Sequence, residues 1–494
     1  MSILTYNLSL KPFIFEIAST KLLEKNTKDK FFVIDYPDKE KYYEKFYKNY
    51  KFISHNKFIK SNFKKKNNFH LGIDFYRENI FAEKIYMNIL SRYQINQSTF
   101  NFYDRNLYFK NILKYYGDFL VNNKIKWIIF YDYPHHIDSY PLYILAKHLK
   151  IKITIISYLY LLGHYRVVID SNLKNRFILY NHAYRNKINK KEILNKVNTY
   201  LKSKKHIKPK YILTEDSLYY LFLKDLYRSF RRGIFKQSNF YFKISKKSDY
   251  FNEKIPYELK TVFINVIQRL KIKKLKKDYL KHCFKGNFYK KKFILFLPSV
   301  QPEASTLPLG GFFYDFTIII NMLLKYLPKN WYILYKEHPL SFNLKKESHL
   351  FKKSNFYSNL KNDRLIFIDY RQDTYDYIIK SECIATATGS AGLEALLKGK
   401  PVLNFGKAWW SNFSSIYTIQ SDNDLSSALE KIKNNQFKPR VSKLKKEIIN
   451  TFEKTIEFPL YNEESYERYL ERKSHIDIDF IEAKKYLNKF LKYN

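Results

Sequence analysis

Cysteine is almost missing from this chain: Cys283 and Cys383 are the only two in 494 residues. Two distant cysteines exclude a disulfide framework and any paired-cysteine zinc spacing, and they agree with a reducing cytoplasm. The sequence also lacks the roughly 18 uninterrupted apolar residues that a membrane-spanning helix needs. Its longest candidate, 153–163, is too short and follows Lys147, Lys150 and Lys152. The opening MSILTYNLSLKPFIFEIASTK has no basic stretch ahead of an apolar core and no clear cleavage site, so it does not read as a leader. Acidic residues are few, with 46 Asp and Glu against 89 Lys and Arg, a formal excess of 43. Such a balance admits nucleic acid, an anionic membrane surface or an acidic substrate as partner. Nucleic acid is disfavoured, because the lysines are dispersed along the chain and not gathered in one tail. Glycine and alanine are scarce while Lys, Asn, Ile, Tyr and Phe are abundant together, the bias that A/T-rich codons impose.

Apolar and aromatic side chains are plentiful, at 45% and 19%, and the length allows two or three domains with large cores. Up to about residue 120 the chain is polar and aromatic, with one good strand at 31–35 and helical patterns near 80–93 and 109–121. A sharper unit follows: an apolar strand at 126–131, a helix at 139–150 and a β-branched strand at 151–157. The loop Asp132-Tyr133-Pro134-His135-His136 then falls at a carboxyl edge, where open α/β sheets bind ligands. Asp beside His at such an edge can do acid–base work; the alternative is a solvated loop pair. Residues 176–180 offer a further strand. From 184 to 290 the chain turns helical and basic, and 269–281 carries seven basic residues and only Asp278 as acid, with Leu270, Leu275 and Tyr279 facing elsewhere. That helix can lie on an anionic membrane or present an ordinary solvated face.

A second alternating block begins at Lys292. Strands are expected at 293–297, 331–335, 365–368 and 383–387, with helices at 315–326 and 374–381, so this sheet should be parallel. Within it, CIATATGSAGLEALLKGKPVLNFG (383–406) reads as strand, glycine turn, short helix and strand. Ser390 or Thr388 would cap the helix, Gly399 would take the left-handed position behind it, and Pro401 would end it. The helix start is either a phosphate site or a plain crossover turn. Glu303, Lys336, His338 and Ser390 all fall at carboxyl ends of strands, where one crevice can collect them. From about Lys443 the tail is charged and helical, with acids at Glu463, Glu464 and Glu467, and such tails cross back to the first domain in two-domain α/β proteins.

LPSVQPEASTLPLGG, WYILYKEHP and TATGSAGLEALLKGKPVLNFG, in that order and spacing, resemble the bacterial capsule and surface polysaccharide biosynthesis family, which includes Kdo transferases. The resemblance covers about residues 290–410, and FYDYPHHIDSYPLYILAKHLKIKITII looks like the family's N-terminal half. Residues 184–290 read as particular to a subgroup. The resemblance implies a GT-B-like α/β fold of two Rossmann-like domains facing across a cleft. It divides the chain into an acceptor-side domain at 1–183, a basic helical segment at 184–290, a nucleotide-sugar domain at 291–440 and a returning tail at 441–494. The implied activity is metal-independent glycosyl transfer at the cytoplasmic face, from a CMP- or UDP-linked sugar to a glycan or lipid-linked glycan. No cofactor is implied beyond the nucleotide sugar as substrate, and the inner face of the cytoplasmic membrane is a further implied partner.

By the same resemblance, His338 with Pro339, and Thr388, Gly389 and Ser390, engage donor phosphate and nucleotide, Gly389 allowing close backbone approach. Glu394 suits the ribose hydroxyls, Lys336 neutralises phosphate as the leaving group departs, and Gln301 belongs to the substrate loop. The base that takes the acceptor proton is Asp132, His135 or Glu303. The pattern departs at Ala304, where relatives carry Arg, so recognition of a substrate acid group by that arginine does not carry over. A GT-B-like epimerase, a polyol-phosphate transferase and a non-catalytic scaffold of a synthesis complex are the alternatives to a glycosyltransferase.

Overall fold

The computed structural model describes residues 2–6, 30–35, 50–54, 69–91, 102–161, 164–170, 189–202, 217–231, 237–242, 254–256 and 259–286. It also describes 288–457, apart from 289, 302, 345–347 and 438–439. The expected strand at 176–180 and the acids at 463–467 lie outside the described residues.

The first sheet has a parallel core. Strands Ser2–Tyr6 (β1), Lys30–Asp35 (β2), Tyr50–Ser54 (β3), Ile125–Tyr131 (β4) and Lys152–Leu161 (β5) pair in the order β5-β4-β1-β2-β3, and His164–Asp170 (β6) adds an antiparallel edge beside β5. Helices Ile73–Ser91 (α1), Phe102–Asn122 (α2) and Ser139–His148 (α3) cover it. β1 is buried at every residue and sits between β2 and β4, although the sequence pattern had suggested no strand there.

Helices Lys190–Lys202 (α4), Leu218–Arg231 (α5) and Leu259–His282 (α6) fill the basic segment. The expectation of an all-helical segment is corrected by an antiparallel pair, Gln237–Phe242 (β7) with Lys254–Pro256 (β8). Leu270 is a second correction: it is 42% exposed, while Leu275 and Tyr279 on the same helix are fully buried.

The second sheet is parallel throughout. Lys292–Phe296 (β9), Trp331–Lys336 (β10), Leu365–Ile368 (β11), Cys383–Thr386 (β12), Val402–Asn404 (β13) and Ile416–Thr418 (β14) stand in the order β11-β10-β9-β12-β13-β14. Both faces are apolar, as a parallel sheet demands. The period-two alternation splits β9 cleanly: Phe293 and Leu295 join one core, Ile294 and Phe296 the other. Phe316–Tyr326 (α7), the single turn Phe356–Asn359 (α8) and Asp422–Lys433 (α11) pack with α6 on the second core. Thr374–Lys380 (α9) and Ala391–Leu397 (α10) serve the first core, together with Val441–Lys454 (α12). Behind α12, Ile456–Glu457 (β15) pairs with β6, so the chain ends its described course in the first sheet.

Candidate functional site

Strand order locates the crevices before any side chain is considered. In the second sheet the connections run from β9 outward to β11 on one side and resume at β12 on the other. The carboxyl ends of β9 and β12 therefore form a topological switch point, where open α/β sheets admit ligands. The first sheet has its own between β1 and β4, where β4 runs out into Asp132.

The loops behind β9 and β12 are tied together by hydroxyls. The Thr386 hydroxyl donates to the Leu297 carbonyl at 2.9 Å and accepts from the Gly389 N–H at 3.2 Å. The Thr388 hydroxyl donates to the Ser305 carbonyl at 2.8 Å, and Ser299 Oγ lies 3.4 Å from it. Thr388 is thus committed to the opposite loop and does not cap α10. Nor does Ser390, which takes helical angles (φ −57°, ψ −24°), makes no side-chain capping bond and leaves its hydroxyl exposed. Gly399 does adopt the left-handed conformation, with φ +75°.

Close packing fixes this turn. A Cβ on Gly389 would stand 2.8 Å from Thr386 Oγ1. A Cβ on Gly392 would meet two ring carbons of the buried Trp410 at 2.4 and 2.7 Å. An indole cannot yield as a flexible chain end does. Gly392→Ala is expected to cost about 1–3 kcal/mol in denaturant unfolding, whereas an alanine at Gly72, which has nothing within 4 Å, should cost far less.

At β10, Lys336 is buried and its ammonium donates to the Tyr370 carbonyl at 2.9 Å, bracing the end of β11. Next to it, Glu337 is 1% exposed and carries an ionic knot. Its Oε2 accepts from Lys352 Nζ at 2.5 Å, Tyr357 Oη at 2.6 Å and Tyr335 Oη at 2.8 Å. Its Oε1 accepts from the His338 N–H at 2.8 Å and the Ser341 hydroxyl at 2.9 Å. Burial alone would raise this carboxyl, but the Lys352 ammonium and these donors outweigh it and hold it below the usual glutamate range. Burial and then the Glu337 charge push the hydroxyls of Tyr335 and Tyr357 well above the tyrosine range, so both stay donors.

His338 stands on this knot. Its Nδ1 accepts the Leu340 N–H at 3.1 Å, capping the short 3-10 turn Pro339–Phe342. An Nδ1 that accepts leaves the proton on Nε2, so that nitrogen is a donor suited to an anionic oxygen. Adjacent strands stand about 4.8 Å apart, so the ends of β10 and β12, with β9 between them, are separated by about 10 Å. Glu394 sits half-buried in the first turn of α10. Gln301 is buried and its amide donates to the Tyr314 carbonyl, which makes it a brace of its loop. Half-buried Glu303 donates its N–H to the Thr306 hydroxyl at 3.2 Å, and its carbonyl receives the Thr306 and Leu307 N–H groups.

In the first sheet, Asp132 takes a positive φ of 67°, and its Oδ1 accepts from the Tyr133 N–H at 2.7 Å and the Ser157 hydroxyl at 3.1 Å. His135 Nδ1 lies 2.5 Å from the Tyr133 carbonyl, which can only accept, so Nδ1 carries a proton. The His135 and His136 rings stand 4.0 Å apart.

Helix α1 joins the two edges. Tyr86 Oη donates to the Ile137 carbonyl at 2.5 Å, just behind the histidines. Two residues on, Asn88 Nδ2 donates to Tyr314 Oη at 3.1 Å, and the Phe81 and Phe312 rings lie 3.6 Å apart. Helix α1 thus touches Ile137, directly after the Asp132–His136 loop, and Phe312 and Tyr314, which follow the loop that carries Glu303. Glu337 and Ser299 escaped the sequence reading. A charged residue flanked by Lys and His gives no local sign of burial, although the aromatic residues around it give a weak one.

Residues 193–440, half of the chain, match the family described as capsule polysaccharide biosynthesis protein. The chain belongs to the capsule polysaccharide biosynthesis protein family. The match contains every strand-end residue of the second sheet named above and begins inside the basic segment, so residues 193–290 are family sequence and not a subgroup's addition. No curated protein matches the sequence significantly. Among solved structures, the chain is similar to the UDP-GlcNAc 2-epimerase of Methanocaldococcus jannaschii at 13% identity, covering 91% of this chain and 99% of that one, TM-score 0.24. It is also similar to KpsC, the beta Kdo 2,7 transferase of Thermosulfurimonas dismutans, at 13% identity over 68% and 88%, TM-score 0.25. HepE of Anabaena in complex with UDP-glucose gives 10% identity over the whole of both chains, TM-score 0.26. Superpositions this loose decide nothing about the chain; the family assignment rests on residues 193–440.

No helix among the described residues is long and apolar enough to cross a membrane. Neither cysteine is paired, and burial pushes the Cys283 thiol up to about 12.

Proposed function

We propose that this family member is a glycosyltransferase of GT-B type that moves a sugar from a CMP- or UDP-linked donor to a growing surface polysaccharide. The observation that carries the reading is that the family match encloses the switch point of the second sheet, whose loops bear His338, Glu303 and the Thr388–Ser390 turn, with Lys336 buried beneath them. His338 Nε2–H offers a directed donor to a donor phosphate, and the β12 turn offers Ser390. Glu394 stands one turn further on for ribose hydroxyls. Lys336, held to the Tyr370 carbonyl, keeps a positive charge beneath the crevice where a nucleotide leaving group gathers negative charge. This set works without a metal ion. The base is drawn from Asp132 and His135 at the first sheet and Glu303 on this rim.

Calorimetric titration with CMP, CDP, UDP and GDP tests the donor side. One nucleotide should bind selectively, and His338→Ala should weaken it about 10- to 100-fold, the loss of a hydrogen bond to a charged group. Unchanged affinity in that variant would remove His338 from the donor site. No binding by any of the four to the folded protein would favour the scaffold reading.

A further inference from the structure

We propose that the outward stripe of α6 is a docking face for an anionic lipid bilayer, on observations independent of the donor-site reading. Along this helix Val262, Ile272, Leu275 and Tyr279 are buried. Phe263, Ile267, Leu270, Lys274, Lys277 and Lys281 follow one another in steps of four and three, which places them in a single line on the other side. The line is about 27 Å long at 1.5 Å per residue. Its first half is apolar and open to solvent, with Phe263 60%, Ile267 55% and Leu270 42% exposed. Its second half is three exposed lysines, flanked by exposed Lys271 and Lys273.

Among the described residues no acid forms an ion pair with these lysines. The helix's one acid, Asp278, turns its carboxylate to the Ser358 hydroxyl and to the N–H groups of Tyr357 and Ser358 at 2.9 and 3.2 Å. The helix's arginine, Arg269, is buried against Asp225 at 2.6 Å. What remains outward is an apolar segment in line with a cationic one. Nucleic acid would satisfy the lysines and leave Phe263, Ile267 and Leu270 in water. An anionic bilayer supplies both halves, with headgroup phosphates for the lysines and the acyl boundary for the apolar end.

The test is co-sedimentation of the full chain with phosphatidylcholine vesicles, with and without about a third phosphatidylglycerol, and titration of a fluorescent single-stranded RNA. Partition should require the anionic lipid. A surface lysine contributes roughly fivefold to such partition, so Lys274→Glu/Lys277→Glu/Lys281→Glu should lower it at least 100-fold. Phe263→Ser/Ile267→Ser should lower it too, most visibly in high salt, where the charge contribution is screened. The charge-matched control Lys431→Glu/Lys433→Glu/Lys443→Glu, at exposed positions of α11 and α12, should retain binding, and circular dichroism checks that each variant is folded. Equal losses in the control and the α6 triple variant would reduce the effect to bulk charge and overturn the proposal. Failure of the wild type to bind anionic vesicles would overturn it as well. So would RNA binding that depends on the same lysines and not on Phe263 and Ile267.

Discussion

Lys352→Met is expected to destabilise the second half of the molecule by about 3–5 kcal/mol, because it leaves the Glu337 carboxylate buried and without its counter-charge. Both side chains are at most 1% exposed, so water cannot replace the missing partner. Glu337→Gln should cost a similar amount: an amide exchanges one acceptor oxygen for two donors, in a site where every neighbour already donates. The double variant should lose clearly less than the sum of the two single losses, since no unpaired charge then remains. Urea unfolding followed by tyrosine and tryptophan fluorescence measures all three. Strictly additive losses would show that the pair is not coupled.

The same knot predicts a pH dependence with a definite sign. The folded-state carboxyl of Glu337 lies below its unfolded value of about 4.3, so its contribution is fully present above that pH. It is lost as pH falls through that range towards the lower folded value. The stability gap between wild type and Glu337→Gln should therefore be wide at neutral pH and narrow in acid. A gap that widened in acid would contradict the direction of the shift.

How much of this was legible beforehand follows from the range of the interactions. The second sheet was readable because each strand is a short apolar run stopped by Pro, Gly or a polar cluster, signals that act over two or three residues. Its strand-end residues were therefore placed correctly. The partners of those residues were not, since the Glu337 knot draws on Lys352, Tyr357 and Tyr279, which are 15, 20 and 58 positions away. The expectation that Ser390 or Thr388 caps the helix fails at Thr388 for the same reason: its hydroxyl is claimed by Ser305, 83 residues earlier. Local propensity could not show that competition. β1 was missed because five residues, SILTY, carry too little pattern alone, and it is the neighbours β2 and β4 that make it the middle of a sheet.

The largest expected effect on turnover lies at His135. On the glycosyltransferase reading proposed above, Asp132, His135 and Glu303 are the candidates for the base that takes the acceptor hydroxyl proton. Asp132 Oδ1 is occupied by the Tyr133 N–H and the Ser157 hydroxyl, so its carboxylate holds the turn at the end of β4. Glu303 sits in a turn closed by its own backbone bonds to Thr306 and Leu307. His135 Nδ1 is held by the Tyr133 carbonyl, which orients the ring at the end of β4. With the nucleotide sugar that the titration selects, His135→Ala should reduce turnover about 10²- to 10⁴-fold while donor affinity is retained. Asp132→Asn keeps an acceptor for both of its donors and should reduce turnover much less. The reverse ranking would make Asp132 the base, and a collapse confined to Glu303→Gln would move it to the loop behind β9.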